Sequence, residues 1–318
     1  MGFSYYLTLH AFVISIIFFI DIIRKRFKSK KDKNISTTLS SLIFFNSFFG
    51  SEAIRNSIYF PRNIEYPLVI NKLNIYKGQS VLDIGTGTFG VPLVPFYLAK
   101  HGAIVYCLDF DKNFKLLEEY AYKYGFGDYV KKKKLNIKIG DTRNLPFPDN
   151  FFDRVSAISS IEHIPYDGDI QAIREIMRVL KPDGKAVITV DCLGSYLEEW
   201  QKVSFYPGYE YEERILNQKS AIKNEEEKAY TFFIRFYDRK NLFERLVNPL
   251  ELELIEAGFY GERFNIRHYF NPGVNKFIGK FFSCTQPLIA LSFYRKIKES
   301  DNLKKFFGIV GYIILRKK

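Results

Sequence analysis

Val81-Leu82-Asp83-Ile84-Gly85-Thr86-Gly87-Thr88-Phe89-Gly90 is an apolar run that carries one acid and ends in three spaced glycines. The apolar part reads as a buried strand. The glycines read as a tight turn, where φ becomes positive and the backbone must approach a ligand closely. Val91 to Lys100 follows as an apolar segment that turns back as a helix. A strand, a glycine-rich turn and a helix open a nucleotide- or cofactor-binding α/β sheet.

Working outward, apolar and helical segments alternate. Ala103 to Leu108 predicts a second strand ended by Asp109, and Asp111 to Tyr124 a helix with Asp111 near its cap. Leu135 to Ile139 predicts a third strand ended by Gly140-Asp141. Phe152 to Ile158 predicts a fourth, ended by Ser159-Ser160-Ile161-Glu162-His163. Asp169 is placed to cap a helix whose Ile170, Ile173, Met177 and Leu180 recur at helical spacing. Pro182-Asp183-Gly184 stops that helix before a fifth strand, Lys185 to Val190. Strands separated by helices predict a parallel, doubly wound sheet, and ligands of such sheets sit at the carboxyl ends of the strands. Asp83 with Gly85, Asp109, Asp141 and Ser159 all fall there. Upstream, Arg62 to Ile70 reads as a helix leading through Lys77-Gly78-Gln79 into the first strand. Downstream, Cys192 to Lys228 is polar and aromatic without a period and reads as an insertion or lid. Leu242 to Ala257 suggests a further helix, and Phe259 to Ile266 with Gly308 to Leu315 a closing antiparallel pair. Phe277 to Tyr294, apolar but interrupted by Lys280 and Pro287, fits contact with a bilayer and packing on the core equally well.

With 318 residues, 47% of them hydrophobic, the chain can build one large α/β domain with attachments. The net charge is +12, yet Arg24 to Lys33 alone holds seven Lys/Arg against one Asp. The excess is therefore local, and it does not argue for a nucleic-acid surface. Lys131-Lys132-Lys133-Lys134 reads as a solvated loop before a strand, or as a face for anionic lipid. No RNA-binding module or Arg/aromatic platform accompanies it, so nucleic acid is not an expected partner. Cys107, Cys192 and Cys284 are far apart, without a CxxC, and only four His occur. Neither a disulfide framework nor a metal site is expected. Gly2 to Ile20 carries no Asp, Glu, Lys or Arg, and Arg24-Lys25-Arg26-Phe27-Lys28-Ser29-Lys30-Lys31 follows it. About 20 residues at ~1.5 Å each span a ~30 Å hydrocarbon layer. Charge after the run rather than before it is unlike a secretory signal, and it places the rest of the chain in the cytoplasm. The expectation is a single-pass membrane protein with an N-terminal transmembrane helix and a cytoplasmic catalytic domain. An interfacial amphipathic helix is the alternative.

The glycine turn has two readings. Gly85-x-Gly87-x-x-Gly90 matches the dinucleotide fingerprint, with Asp109 at about the distance of a ribose acid. In nicotinamide-binding turns, however, the residue at Asp83 is usually apolar. With its acid in that place, the stretch resembles the class I S-adenosylmethionine-dependent methyltransferases, in particular their type 11 branch. The same resemblance is carried by Val105-Tyr106-Cys107-Leu108-Asp109-Phe110-Asp111 and by Gly140-Asp141-Thr142-Arg143-Asn144-Leu145-Pro146-Phe147-Pro148-Asp149-Asn150-Phe151-Phe152-Asp153. It extends to Ser160-Ile161-Glu162-His163-Ile164 and Arg174-Glu175-Ile176-Met177-Arg178-Val179-Leu180-Lys181-Pro182-Asp183-Gly184, and covers about residues 60 to 192. Asp183 departs from the family's usual glycine, and Phe89 is bulkier than the usual residue beside the cofactor.

The resemblance implies a doubly wound, seven-stranded, Rossmann-like α/β sheet with S-adenosyl-L-methionine as cofactor. Gly85, Thr86 and Gly87 then meet the methionine end, with Asp83 towards its ammonium group. Asp109 accepts from both ribose hydroxyls, Phe110 packs on the adenine or belongs to the core, and Asp141 with Thr142 meets the adenine amino group. Ser159 ends the fourth strand under the sulfonium. Arg62, Glu65 and Tyr66 are candidates for part of a lid. An activated methyl needs in-line placement of a nucleophile; a hydroxyl acceptor also needs a base, for which His163 is the candidate. A structural role for His163 is the competing reading, and no metal is expected at Glu162.

The expected organisation is an anchor over residues 1–23, a basic linker over 24–39, a helical cap over 40–79, a cofactor-binding core over 80–191, and a lid, substrate region and last strands over 192–318. The expected partners are a membrane lipid surface and a small-molecule or lipid-linked acceptor, such as a lipid, a quinone precursor or a lipid-linked saccharide. The alternatives are an NAD-dependent oxidoreductase and a non-catalytic S-adenosylmethionine-binding scaffold.

Overall fold

The computed structural model describes residues 61–87, 93–111, 114, 116–202, 213–216, 230–248, 253–263 and 294–318. The proposed anchor, the basic linker, most of the 277–294 segment, and Thr88, Phe89 and Gly90 of the turn lie outside the described residues. Among the described residues no helix is long and apolar enough to cross a membrane.

The chain enters through α1 (Arg62–Leu73), β1 (Ser80–Ile84), α2 (Leu93–Lys100), β2 (Ile104–Asp109), α3 (Leu116–Lys123), α4 (Gly127–Lys131), β3 (Leu135–Ile139) and β4 (Phe152–Ile158). It continues through α5 (Gly168–Val179), β5 (Leu180–Cys192), β6 (Leu197–Lys202), β7 (Glu213–Leu216), β8 (Tyr230–Phe236), α6 (Arg239–Leu246), β9 (Glu253–Glu262), β10 (Tyr294–Ile297) and β11 (Phe307–Arg316). The main sheet is eight-stranded, in the order β10-β9-β11-β5-β4-β1-β2-β3. Strands β1 to β5 are parallel, while β11 runs antiparallel between β5 and β9. A nicotinamide-binding sheet continues its 3-2-1-4-5 order with another strand of the same series. The reversed β11 departs from that pattern.

Period-2 alternation sorts the strand residues onto two cores. Val81, Val105, Cys107 and Val187 pack on one face with Leu68, Val69 and Leu73 of α1, Phe96 of α2 and Leu117 of α3. Leu82, Ile84, Leu108, Ile188 and Val190 pack on the other with Ile173, Ile176 and Met177 of α5 and Leu242 of α6. Each such side chain, fully buried, contributes on the order of 1.5–3 kcal/mol. This places β1 at the centre, shielded on both faces, with its carboxyl end opening at the point where the strand order reverses.

Several expectations change. The sheet gains an eighth strand, β10, paired antiparallel with β9. The expected helix over 242–257 ends at Leu246, and Glu253–Glu262 is strand because its alternate residues line the edge of β11. That strand thus starts before the expected Phe259. Among the described residues the helix after β2 runs over Leu116–Lys123, and the Asp111 backbone N–H bonds the Asp109 carboxylate. Strand β5 begins at Leu180, with Asp183 at φ 60° on a bulge where Phe152 still pairs with Leu180. Asp169 does not cap α5: Asp167 holds the cap position, and Asp169 is fully buried. The aperiodic 192–228 stretch contributes β6 and β7 to a separate three-stranded antiparallel sheet, ordered β7-β6-β8. The four lysines Lys131 to Lys134 are exposed before the first residue of β3, at the opposite edge of the sheet from the strand carboxyl ends.

Candidate functional site

Gly85 follows the last residue of β1, and its N–H donates to the Leu108 carbonyl at 2.9 Å. Two constraints make it glycine. Its φ is +65°, and a Cβ there would lie 2.3 Å from Cβ of Ser160, the residue that opens the turn after β4. Gly87 has φ +77°, but a Cβ there would meet the Gly85 carbonyl oxygen at an ordinary 3.9 Å, so its backbone conformation is what selects glycine. The Gly87 N–H donates to Oδ2 of Asp109 at 2.9 Å, while Oδ1 accepts from the Asp111 N–H at 3.0 Å. Asp109 thus braces the glycine turn from the neighbouring strand. Burial raises its pKa, and the hydrogen bonds from Asp111 and Gly87 act against that rise.

Asp83 lies deeper and is 4% exposed. Its Oδ1 accepts from Ser156 Oγ at 2.6 Å and its Oδ2 from Thr86 Oγ1 at 2.9 Å. Burial pushes its pKa from 3.8 up to about 6, against the hydroxyl bonds from Ser156 and Thr86; nearby Asp109 pushes up and Arg62 down. Asp83, Gly85 and Thr86 line a cleft with Arg62 and Tyr66 of α1, Leu93 of α2, and Ile158. Of the expected lid residues, Arg62 and Tyr66 therefore form one wall of the site, while Glu65 lies buried behind them. Arg62 pairs with Glu65, and the buried Glu65 carboxylate accepts from Ser159 Oγ at 2.5 Å and Thr189 Oγ1 at 2.8 Å. Those bonds tie α1 to the carboxyl ends of β4 and β5. Ser159 itself has φ 41°, and its hydroxyl is turned to Glu65.

Phe110 is 67% exposed, which removes the core alternative and leaves its ring presented beside Asp109. Asp141 caps the 3-10 turn Thr142–Asn144, and its carboxylate is engaged by the Arg143 backbone N–H, Nε and Nη2. The Arg143 guanidinium holds its pKa below the usual carboxylate range. Any amino group reaching Asp141 shares it with Arg143, while partly exposed Thr142 is adjacent.

His163 ends the 3-10 turn Ile161–His163 that follows β4. Its Nδ1 is 2.7 Å from the Phe233 carbonyl oxygen of β8. A carbonyl only accepts, so Nδ1 carries the proton. Burial lowers the His163 pKa and the positive charge of Arg62 adds to that, so Nε2 keeps its lone pair near neutral pH. Next to it, fully buried Glu162 accepts from the Asp191 N–H at 3.1 Å through Oε1, and its Oε2 has no hydrogen-bond partner among the described residues. Burial and the neighbouring Asp191 charge raise the Glu162 pKa well above the usual carboxylate range, favouring its neutral form. Among the described residues no three or more His, Cys, Asp or Glu gather as metal ligands do.

The predicted residues thus converge on the carboxyl ends of β1, β2, β3 and β4. Their chemistry fits S-adenosylmethionine: a carboxylate and a glycine turn for a ribose, an exposed aromatic ring for a base, and an acid opposite an arginine for the zwitterionic methionine end. What the sequence reading passed over is β8, Tyr230-Thr231-Phe232-Phe233-Ile234-Arg235-Phe236. Its signal was an arginine set among apolar residues in a strand-forming run.

A family model described as "Methyltransferase domain" matches residues 82–188. The demethylmenaquinone methyltransferase of Geobacillus sp. (strain WCH70) is 29% identical over 149 residues, 46% of this chain and 59% of that protein. That of Lactobacillus johnsonii is 36% identical over 118 residues, 37% of this chain and 46% of that protein. The sterol 24-C-methyltransferase of Yarrowia lipolytica is 33% identical over 144 residues, 45% of this chain and 35% of that protein. The chain spans about half the length of the curated relatives it matches. On motif order, sheet topology and these matches, residues 82–188 form a class I S-adenosyl-L-methionine-dependent methyltransferase domain of the type 11 branch.

Proposed function

We propose that this chain transfers a methyl group from S-adenosylmethionine to an apolar, lipid-class acceptor held at the membrane surface. The observation that carries the transfer reading is the brace from Asp109 to the Gly87 N–H beside buried Asp83, at the reversal point of the sheet. The bound cofactor supplies a sulfonium methyl that is already activated for displacement. Asp109 and Phe110 hold its nucleoside, while Asp83 and Arg62 receive its ammonium and carboxylate groups. Asp141 and Thr142 would hold the adenine end, and Ser159, at the end of β4, would border the methyl-donating end.

Where the acceptor presents a hydroxyl, His163 takes its proton at Nε2, since Nδ1 is occupied by the Phe233 carbonyl. Its lowered pKa keeps it unprotonated at neutral pH.

The acceptor class rests on two supports. The relatives' names give demethylmenaquinone and a sterol as what those proteins act on, both apolar. The apolar Gly2 to Ile20 run with the basic stretch after it supplies a membrane anchor, with the catalytic domain on the cytoplasmic side. Quinone precursors and lipid-linked saccharides belong to this acceptor class. Tethering raises the encounter rate with an acceptor in the same surface without any new contact in the site.

The test is transfer of label from methyl-labelled S-adenosylmethionine into host membranes by the full chain and by a chain starting at Ser36, with products partitioned between organic solvent and water. Organic-phase label that depends on the anchor supports the proposal. Aqueous or protein-bound label indifferent to the anchor removes the lipid acceptor. Cofactor binding without any label in membranes, extracts or protein points to the non-catalytic scaffold.

A further inference from the structure

Strand β8 belongs to the small inserted sheet, yet it reaches the site through Phe233 and Arg235. Its pairing with β6 runs Leu197 with Phe236, Glu198 with Arg235 and Glu199 with Ile234, then skips to Trp200 with Phe232. Phe233 is the residue the register leaves over. A β-bulge disrupts the ladder locally and re-aims the groups of its extra residue. Here the Phe233 carbonyl turns to His163 Nδ1, and the Phe233 ring meets the imidazole edge-on at 5.7 Å.

Two residues along, Arg235 holds the other side of the contact. It is fully buried, and its Nη1 donates to the Ile164 carbonyl at 3.1 Å and its Nη2 to the Tyr166 carbonyl at 2.6 Å. These are the first and third residues after His163. The same guanidinium pairs with Asp169 of α5 at 3.2 Å and with Glu198 of β6 at 3.2 Å. Asp169 is bound also by Tyr237 Oη at 2.7 Å and by Arg245 of α6, and Arg245 donates to Tyr166 O at 2.8 Å. One strand therefore supplies both the acceptor that selects the His163 tautomer and the clamp that fixes the backbone after His163. A buried arginine with this many partners is costly to bring out of water unless every donor is satisfied. A planar fork reaching two carbonyls at once is geometry that lysine does not reproduce.

We infer that Arg235 and the Phe233 bulge are positioning groups of the reaction: they hold His163 as the Nδ1–H imidazole, so that Nε2 is the basic nitrogen. This rests on the reading of His163 as the base, but its measurement does not require turnover.

The full chain is prepared with 15N-histidine, and the His163 signal is assigned by its loss in His163→Gln. The tautomer is read from the two ring-nitrogen shifts across a pH titration, alongside the pH profile of kcat/KM. The expected wild-type result is an Nδ1–H imidazole at pH 7 that titrates below 6.5. Arg235→Lys keeps the charge beside Asp169 but gives up the fork. It is expected to mix in the Nε2–H form, bring the titration up towards 6.5 and move the acid limb of kcat/KM up with it, with S-adenosylmethionine affinity unchanged. A wild-type Nε2–H imidazole overturns the inference outright, even if the variant does not fold. A folded Arg235→Lys chain with the wild-type tautomer, titration and acid limb also overturns it. If the chain transfers no methyl at all, the proposed function fails while the tautomer is still read.

Discussion

Asp83→Asn is expected to stabilise the cofactor-free chain and weaken cofactor binding, and the first effect has a defined pH signature. Asp83 is 4% exposed, and burial carries its pKa from 3.8 to about 6. At about 1.4 kcal/mol per unit, that rise costs the folded state about 3 kcal/mol once the group is ionised. The sign follows from linkage. Between pH 4 and 6 the folded chain binds more protons at this site than the unfolded chain, so wild-type stability falls as pH rises through that window. Asparagine removes the charge and keeps one oxygen to accept from Ser156. Thr86 Oγ1, which already reaches the Asp83 backbone carbonyl at 3.1 Å, keeps an acceptor. Losing one hydrogen bond to the carboxylate returns about 1 kcal/mol. The net expectation is a variant more stable than wild type by about 2 kcal/mol at pH 8, with the advantage gone at pH 4. Urea unfolding of both chains at several pH values, followed by circular dichroism, measures it. Equal stability differences at every pH, or a variant less stable at pH 8 than at pH 4 relative to wild type, refute the reasoning. Calorimetry on the same samples should show S-adenosylmethionine binding weakened on the order of ten- to a hundredfold, the range of a hydrogen bond to a charged group.

Gly85→Ala puts a Cβ 2.3 Å from Ser160 Cβ at a positive φ, so denaturant unfolding should show a loss of about 2–4 kcal/mol. Gly87→Ala meets only the backbone cost, about 1–2 kcal/mol, and the order of the two variants is the check. Asp169→Ala removes a partner from fully buried Arg235 and should cost about 3–5 kcal/mol in the same assay.

The sequence carried the central sheet well because its signals are local. Apolar runs ended by Asp109, by Gly140-Asp141 and by Ser159 mark strands whose carboxyl ends form the site, and each falls where the structure has it. The inserted sheet was illegible for the opposite reason. Strand β6 pairs with β8 at separations of 28 to 39 positions, and the bulge at Phe233 interrupts the alternation that would have marked β8. Asp169 reads locally as a helix cap, the common use of an aspartate before an apolar helical run. Its partners Arg235, Tyr237 and Arg245 come from β8, its following residue and α6, so only the fold shows the ion cluster. Glu65 reads in the sequence only as a candidate lid residue of α1, and it is β4 and β5 that bring Ser159 and Thr189 against it.

The most direct measurement is equilibrium binding of S-adenosylmethionine to the full chain and to Asp109→Ala, with NADH as the competing ligand. The account predicts saturable binding to wild type, no competition from NADH, and a loss on the order of a hundredfold in Asp109→Ala, whose missing carboxylate both holds the ribose and braces the Gly87 N–H. Tight binding of NADH without any for S-adenosylmethionine, or S-adenosylmethionine binding indifferent to Asp109, would contradict it.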